Sequence, residues 1–177
     1  MTTERKNGFC VAYDVKETVD KGLGVFASEP IKQGSIVWRH VPGQCTVYDE
    51  KSFNAMIDKM APDEIVYELA HMLVLRGISE CEIRYHDEGA LINHASPANL
   101  ATNNGKPVTN PLDTTSHRYI QDVTTALLAD QYALAATRDI DRGEEFSTDY
   151  AAECEEPEFF ELIYEQSGVE ESYVNTW

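Results

Sequence analysis

The sequence predicts a mainly β domain built from short strands, with a helical insert at about residues 50–80 and a helical tail at residues 151–177. Short apolar runs separated by Gly, Pro and Asn predict the strands, at residues 8–49 and again at 81–150. The insert and the tail instead carry apolar residues at helical spacing. With 177 residues, of which 42% are apolar, the chain can bury the core of a single domain, at about residues 9–150.

The first part of the chain predicts four strands, at residues 9–15, 25–28, 35–41 and 45–48. The next segment predicts a core-facing helix that starts at Ala61, because a proline and two acids stand in its first turn, and that stops at Gly77. Its apolar positions, spaced as on one face of a helix, are Ile65, Leu69, Met72 and Leu73.

After the insert the pattern returns to strands, with a polar surface loop at residues 101–117. The alternating run at residues 132–140 predicts a strand, and residues 141–143 predict the tight turn after it. The tail predicts a helix that starts near Pro157 and ends at Gly168.

The pattern Ile-x-x-Gly occurs at residues 31–34 and again at 140–143, each time between extended segments. Two similar tight turns would require this pattern. Coincidence stays open as the alternative, since turns reuse few residue types.

Charge restricts the class of partner. Asp and Glu total 31 against 14 Lys and Arg, a net charge of −17 at pH 7. Binding phosphates requires a basic face, so we expect no direct nucleic-acid binding. The acidic field would attract a basic protein or peptide, with solubility as the alternative role of the charge.

Composition also indicates the compartment. No apolar run approaches the roughly 20 residues that span a bilayer, so we expect no membrane association. The four cysteines are scattered without a Cys-x-x-Cys pair, which argues against a disulfide framework and against a zinc site. We therefore expect a soluble intracellular protein, cytoplasmic or nuclear. Its oligomeric state is not indicated.

Three uncommon clusters of residues stand in a fixed order along the chain. They are Gly22-Leu23-Gly24, Asn93-His94, and the run Gly143-Glu144-Glu145-Phe146-Ser147-Thr148-Asp149-Tyr150. The glycines allow close backbone approach to a ligand but do not match the nucleotide-binding fingerprints.

Residues 90–92 predict a buried strand that ends at the Asn-His pair. The side chains of this pair can bind the polar end of a ligand or hold the following loop in place. No second His or Cys stands at ligand spacing, so we expect no metal. Each cluster alone is more often structural.

In this order the clusters resemble those of the SET-domain protein lysine methyltransferases, over roughly residues 9–150. The shared features are a Gly-x-Gly turn before Val-Phe-Ala, an Asn-His with Pro and Asn just after it, and a Gly-Glu-Glu run ending in Asp-Tyr. The resemblance implies a β-clip fold of short sheets with a pseudoknot. It also implies S-adenosylmethionine as methyl donor and a lysine of a protein, possibly a basic histone-like or ribosomal protein, as acceptor.

The resemblance further implies roles for single residues. It implies that backbone atoms of Gly22, Leu23 and Gly24 contact the amino-acid end of the cofactor and that Asn93 holds its methionine portion. By the same resemblance, the backbone at His94 receives the adenine.

Tyr150 is implied to be the catalytic residue, where the cofactor's methyl group meets the lysine. Methyl transfer from a sulfonium needs a neutral amine. Neutralising a free lysine, of pKa ≈ 10.4, at pH 7 costs about 4.6 kcal/mol. An aromatic channel beside the sulfonium lowers this cost, so Tyr150 needs only to orient and polarise.

The chain departs from the family pattern in three places. Ala95 replaces a hydroxyl residue after the histidine, and residues 41–43 lack the tyrosine of a common Tyr-x-Gly, for which Tyr48 or Tyr85 is a candidate replacement. The cysteine-rich zinc segment that often follows is missing. Aromatic residues of the tail either wall the lysine channel or pack on the core; they are Phe159, Phe160, Tyr164, Tyr173 and Trp177.

Two alternatives to a protein lysine methyltransferase stay open. One is a catalytically weak SET-like module that binds the cofactor or a protein partner. The other is a SET-like enzyme that acts on a small amine, because its cofactor residues would look the same.

Overall fold

The computed structural model describes residues 7–61, 64–65, 72–73, 81–102 and 132–153. The strands are β1 (Tyr13–Glu17), β2 (Leu23–Ala27), β3 (Ile36–Trp38), β4 (Cys45–Asp49), β5 (Met72–Leu73), β6 (Cys81–Tyr85), β7 (Asn93–His94), β8 (Leu100–Thr102), β9 (Leu134–Ala136) and β10 (Ser147–Thr148). The helices are α1 (Glu50–Ile57), a 3₁₀ helix (Glu88–Leu91) and α2 (Tyr150–Glu153). Within these ranges no helix has the length and apolar character needed to cross a membrane.

The strands form short, separate sheets, which confirms the prediction of a mainly β fold. In the described ranges, β1 pairs with β2, and two antiparallel sheets have the orders β3-β9-β8 and β4-β6-β5. The remaining pair, β7 with β10, is parallel, with Asn93 opposite Ser147 and His94 opposite Thr148. This parallel pair joins two of the three clusters, the Asn-His pair and the run that ends at Tyr150.

One hydrophobic core connects the sheets. It contains fully buried side chains of β2, β3 and β6 together with Phe146, which immediately precedes β10. Burial of each Val, Ile or Phe side chain among them stabilises the fold by about 1.5–3 kcal/mol. Because Phe146 is anchored in this core, the polar residues on either side of it have fixed positions.

The two Ile-x-x-Gly segments face each other. Ile31 and Ile140 exchange both backbone hydrogen bonds, each at 2.9 Å. Gly34 N donates to Ala136 O and Gly143 N donates to Ala27 O, so each turn is tied to the strand that precedes the other turn. Both glycines have positive φ, 80° and 84°, which explains the residue type. The repeated pattern is therefore a local two-fold relationship.

The first predicted strand, at residues 9–15, is wrong in its bounds. Residues 8–10 pair with β3 instead, since Cys10 N donates to Val37 O and Arg39 N donates to Gly8 O. The chain then changes partner and pairs with β2 as β1. One extended run therefore serves two sheets.

The insert is only partly helical. Helix α1 begins after the N-cap Asp49, whose carboxylate accepts from Ser52 N at 2.8 Å. The helix start predicted at Ala61 is found, because Ile65 N donates to Ala61 O. The prediction that Met72 and Leu73 continue that helix is wrong. They form β5 and pair with Arg84 and Ile83 of β6.

Residues 90–92 also differ from the prediction, because a 3₁₀ turn and not a strand leads into Asn93. Most of the loop at 101–117, the tail helix from Pro157 to Gly168, the tail aromatics, and Leu69 and Gly77 of the insert lie outside the described residues.

Candidate functional site

The three clusters meet at the side-chain amide of Asn93. Its Nδ2 donates to the carbonyl of Leu23 at 3.1 Å and to Glu145 Oε1 at 2.7 Å. Asn93 is 6% exposed, so these bonds lie in a shielded environment where they are hard to replace with water. One amide therefore joins the glycine turn, β7 and the segment that leads to Tyr150.

The two glycines of the turn are required for different reasons. Gly22 has φ 74° in open space, a conformation that other residues adopt only with strain. Gly24 is limited by space, because a Cβ there would lie 2.6 Å from Glu145 Oε1 and 3.0 Å from Asn93 Nδ2. Glycine at position 24 therefore permits the contact between the amide and the carboxylate.

His94 contributes both its backbone and its ring. Its carbonyl accepts from the ammonium of Lys21 at 2.8 Å, which shows that this oxygen can be reached by a donor. Its ring Nδ1 accepts from Tyr150 N at 3.1 Å, and this requires the tautomer with the proton on Nε2. The ring thereby accepts from the first N–H of α2 and fixes the position at which this helix begins.

Tyr150 is oriented by the segment before β7. Its hydroxyl donates to the carbonyl of Ile92 at 2.7 Å, and its ring centroid lies 5.5 Å from that of His94. A phenol that donates its proton to a carbonyl keeps its oxygen lone pairs as acceptors. The bond to Ile92 therefore fixes the direction of the Tyr150 hydroxyl.

A second asparagine–glutamate contact supports the first. Asn99 is 2% exposed, and its Nδ2 donates to Glu145 O at 2.7 Å and to Glu144 Oε1 at 3.1 Å. Its Oδ1 accepts from Ser147 N at 2.9 Å. The hydrogen bond from the Arg138 guanidinium lowers the pKa of the Glu144 carboxyl to about 2.

The structure therefore brings together all six sequence-predicted residues, which are Gly22, Leu23, Gly24, Asn93, His94 and Tyr150. Sequence reasoning missed the partners that hold them: Glu145, Asn99 and Lys21. Glu144 and Glu145 both stand in the run that ends at Tyr150. The residues that they contact depend on the long-range pairing of β7 with β10. No local pattern reports that pairing.

The two tyrosines considered for the lysine channel lie in different places. Tyr85 is 7% exposed, and its hydroxyl lies 3.4 Å from His40 Nε2. Burial lowers the pKa of the His40 imidazole to about 3, so this ring is neutral at pH 7. Tyr48 is half-buried on β4, and its ring makes a T-shaped contact with that of Phe53, with centroids 6.4 Å apart.

Comparisons with known proteins give a match to one family and to solved structures. The family model described as SET domain matches residues 22–151, which include all six sequence-predicted site residues. None of the curated proteins matches the sequence.

Two solved structures share the fold. The Neurospora SET domain protein DIM-5, a histone lysine methyltransferase, is 18% identical, with a TM-score of 0.51 over 81% of this chain and 53% of that one. The methyltransferase domain of human histone-lysine N-methyltransferase SETMAR is 20% identical, with a TM-score of 0.52 over 82% of this chain and 46% of that one. The chain thus spans about half the length of each, and at these identities the likeness concerns the fold.

Proposed function

The chain belongs to the SET-domain family, and on this premise we propose that it is an S-adenosylmethionine-dependent methyltransferase acting on a lysine side chain of a protein. The observation that supports this most strongly is the amide of Asn93, which connects all three clusters through hydrogen bonds to Leu23 and Glu145. If this amide had only a structural role, its oxygen would not need to stay available to a ligand.

Asn93 has such an atom. Its two amide protons go to the Leu23 carbonyl and the Glu145 carboxylate, and among the described residues nothing donates to its Oδ1. A carbonyl oxygen in this position is suited to the ammonium of an amino acid, the group at one end of the cofactor. The carboxylate of Glu145 lies at the other end of the amide, where it accepts from Nδ2 and leaves Oδ1 to the ligand.

The remaining contacts also fit the cofactor. The carbonyl of His94 already accepts from an ammonium, so it can accept from the exocyclic amine of an adenine after Lys21 moves away. Gly22 is exposed and has open space on the side where a Cβ would stand, although its carbonyl accepts from Thr18. We therefore assign the amino-acid end to residues 22–24 and Asn93, and the adenine to His94.

When bound, the cofactor supplies an electrophilic methyl group on a sulfonium. Tyr150 is the residue that we assign to the acceptor amine. Its hydroxyl proton is held by the Ile92 carbonyl, so its oxygen is oriented as an acceptor for an N–H of the lysine. Such a contact orients the neutral amine and does not require Tyr150 to remove a proton.

The acidity of the chain supports a basic protein substrate. A net charge of −17 attracts lysine-rich proteins and raises their association rate, most strongly at low salt. We propose a histone-like or ribosomal protein as the class to test first, in the cytoplasm or nucleus.

Incubation with S-adenosylmethionine carrying a radiolabelled methyl group tests the proposal. The chain is mixed with histones, ribosomal proteins and, in a separate tube, free lysine. We expect label in protein and none in the free amino acid. Binding of the cofactor without any transfer would favour a binding module, and labelling of the free amine would favour a small-molecule enzyme.

A further inference from the structure

We propose that Glu145 is a positioning residue that holds the Asn93 amide in the orientation needed to receive the ammonium of the cofactor's amino-acid end. The inference rests on the function proposed above. It adds a residue that does not itself need to touch the ligand and acts through its neighbour.

The first step of the argument is the orientation of the amide. Nδ2 has two protons and two acceptors, Leu23 O at 3.1 Å and Glu145 Oε1 at 2.7 Å, so the assignment of nitrogen and oxygen follows from the contacts. Without the carboxylate, the amide has only one acceptor and can rotate. Rotation would place the amide N–H groups of Asn93 where the ammonium of the ligand must bind. Because both groups are hydrogen-bond donors, they cannot bond to each other.

The second step is that Glu145 is itself fixed. Its backbone is paired with Phe26, and its carbonyl accepts from Asn99 Nδ2 at 2.7 Å. Its Oε1 lies against Gly24, where a Cβ would come within 2.6 Å. The carboxylate therefore lies between the glycine turn and Asn93.

The third step is the contrast with the neighbouring Glu144. That carboxylate contacts Arg138 and Asn99 and has no contact with Asn93 among the residues described. Two adjacent glutamates therefore hold two different asparagines, and only Glu145 holds the one that faces the cofactor. Glu144 provides a matched control.

Two ligands separate positioning of the amino-acid end from general damage to the site. S-adenosylhomocysteine carries that end, whereas 5′-methylthioadenosine keeps the adenosine and the sulfur but lacks it. We expect Glu145→Ala to weaken S-adenosylhomocysteine binding by about tenfold or more, as loss of a hydrogen bond to a charged group does. Methylthioadenosine affinity should change by less than about threefold, measured by titration calorimetry.

Two further variants test the mechanism. Glu145→Gln keeps an acceptor for Asn93 Nδ2 and should retain most of the S-adenosylhomocysteine affinity. Glu144→Ala should leave the ratio of the two affinities as in the wild type. In an Asn93→Ala background, adding Glu145→Ala should change S-adenosylhomocysteine affinity by less than about threefold, because Glu145 then has no amide to hold.

The outcomes are distinguishable. Wild-type protein that binds neither ligand overturns the proposed function. Wild-type protein that binds both, with Glu145→Ala selective against neither, overturns the positioning role alone. Equal losses in Glu145→Gln and Glu145→Ala, or additive losses in the double variant, would show that Glu145 acts through its own charge and not through Asn93.

Discussion

Asn93 directs both amide protons to other segments of the chain, the Leu23 carbonyl and the Glu145 carboxylate. A side chain held in this way can present its remaining atom, Oδ1, in one direction only. Substitutions of its neighbours therefore test the proposed cofactor binding separately from the chemistry proposed for Tyr150.

Tyr150→Phe removes the hydroxyl that donates to Ile92 O and leaves the ring next to His94. We expect methyl transfer to fall by about 100-fold or more, because the amine loses its orienting acceptor. S-adenosylhomocysteine affinity should change little, since the cofactor contacts assigned to Asn93 and His94 remain. Tyr13→Phe is the control, because its hydroxyl contacts Glu88 and Asn7, outside the site. Undiminished transfer by Tyr150→Phe would remove that residue from the mechanism.

Gly24→Ala tests the close packing beneath Asn93. The new Cβ would lie 2.6 Å from Glu145 Oε1, so the carboxylate must move and the amide loses its acceptor. We expect S-adenosylhomocysteine affinity to fall by about tenfold or more. Gly34→Ala, at φ 80° in open space, should cost about 1–2 kcal/mol of stability without altering that affinity. Equal effects of the two variants on binding would contradict the packing argument.

At the scale of elements, the parallel pairing of β7 with β10 brings the second and third clusters together. Asn99 reinforces this pairing from the following loop, through Ser147 N and Glu145 O. The position of Tyr150 therefore depends on contacts between elements that are far apart in sequence.

Asn99→Ala removes a buried amide and leaves its backbone partners without hydrogen bonds. We expect a loss of about 3 kcal/mol in the free energy of unfolding, measured by urea titration. Asp49→Ala, which removes the N-cap of α1, should cost only about 1 kcal/mol. An Asn99→Ala protein no less stable than Asp49→Ala would show that the buried amide does not hold the two segments together.

The predictions from sequence succeeded where a local pattern decides the structure. Glycine predicts the turns at Gly34 and Gly143, and a proline with two acids predicts the helix start at Ala61. The strand predicted at residues 25–28 is found as β2, at Leu23–Ala27. The helical spacing predicts a helix at Met72 and Leu73, yet these residues form the edge strand beside β6. A short apolar run does not by itself distinguish helix from strand. The partners of Glu145 depend on the same kind of distant pairing, so its role was missed.

At the scale of the whole molecule, the hydrophobic core of the described residues packs next to both the site and a buried histidine. His40 packs against Trp38 and Tyr85 and is 5% exposed. Its neutral ring links the stability of the fold to pH.

Stability should fall as the pH is lowered from 6.5. Burial lowers the pKa of His40 from 6.5 to about 3, so between these values the unfolded chain binds a proton that the folded chain does not. The slope contributed by one such group reaches at most about 1.4 kcal/mol per pH unit. Glu144, with a pKa lowered from 4.5 to about 2, adds a loss only below pH 4.5.

The interval between pH 6.5 and 4.5 therefore isolates His40 from Glu144. Urea unfolding across this interval should show a clearly smaller pH dependence for His40→Gln than for the wild type. An unchanged slope in the variant would mean that His40 is not buried as a neutral ring.

The measurement that tests the central claim most directly is mass spectrometry of a basic protein after incubation with the chain and S-adenosylmethionine carrying an isotopically labelled methyl group. We expect the label on lysine side chains of the substrate, with a strong reduction for Tyr150→Phe. Absence of labelled lysine from every basic protein tested, although the chain binds S-adenosylhomocysteine, would contradict the assignment of a protein lysine methyltransferase.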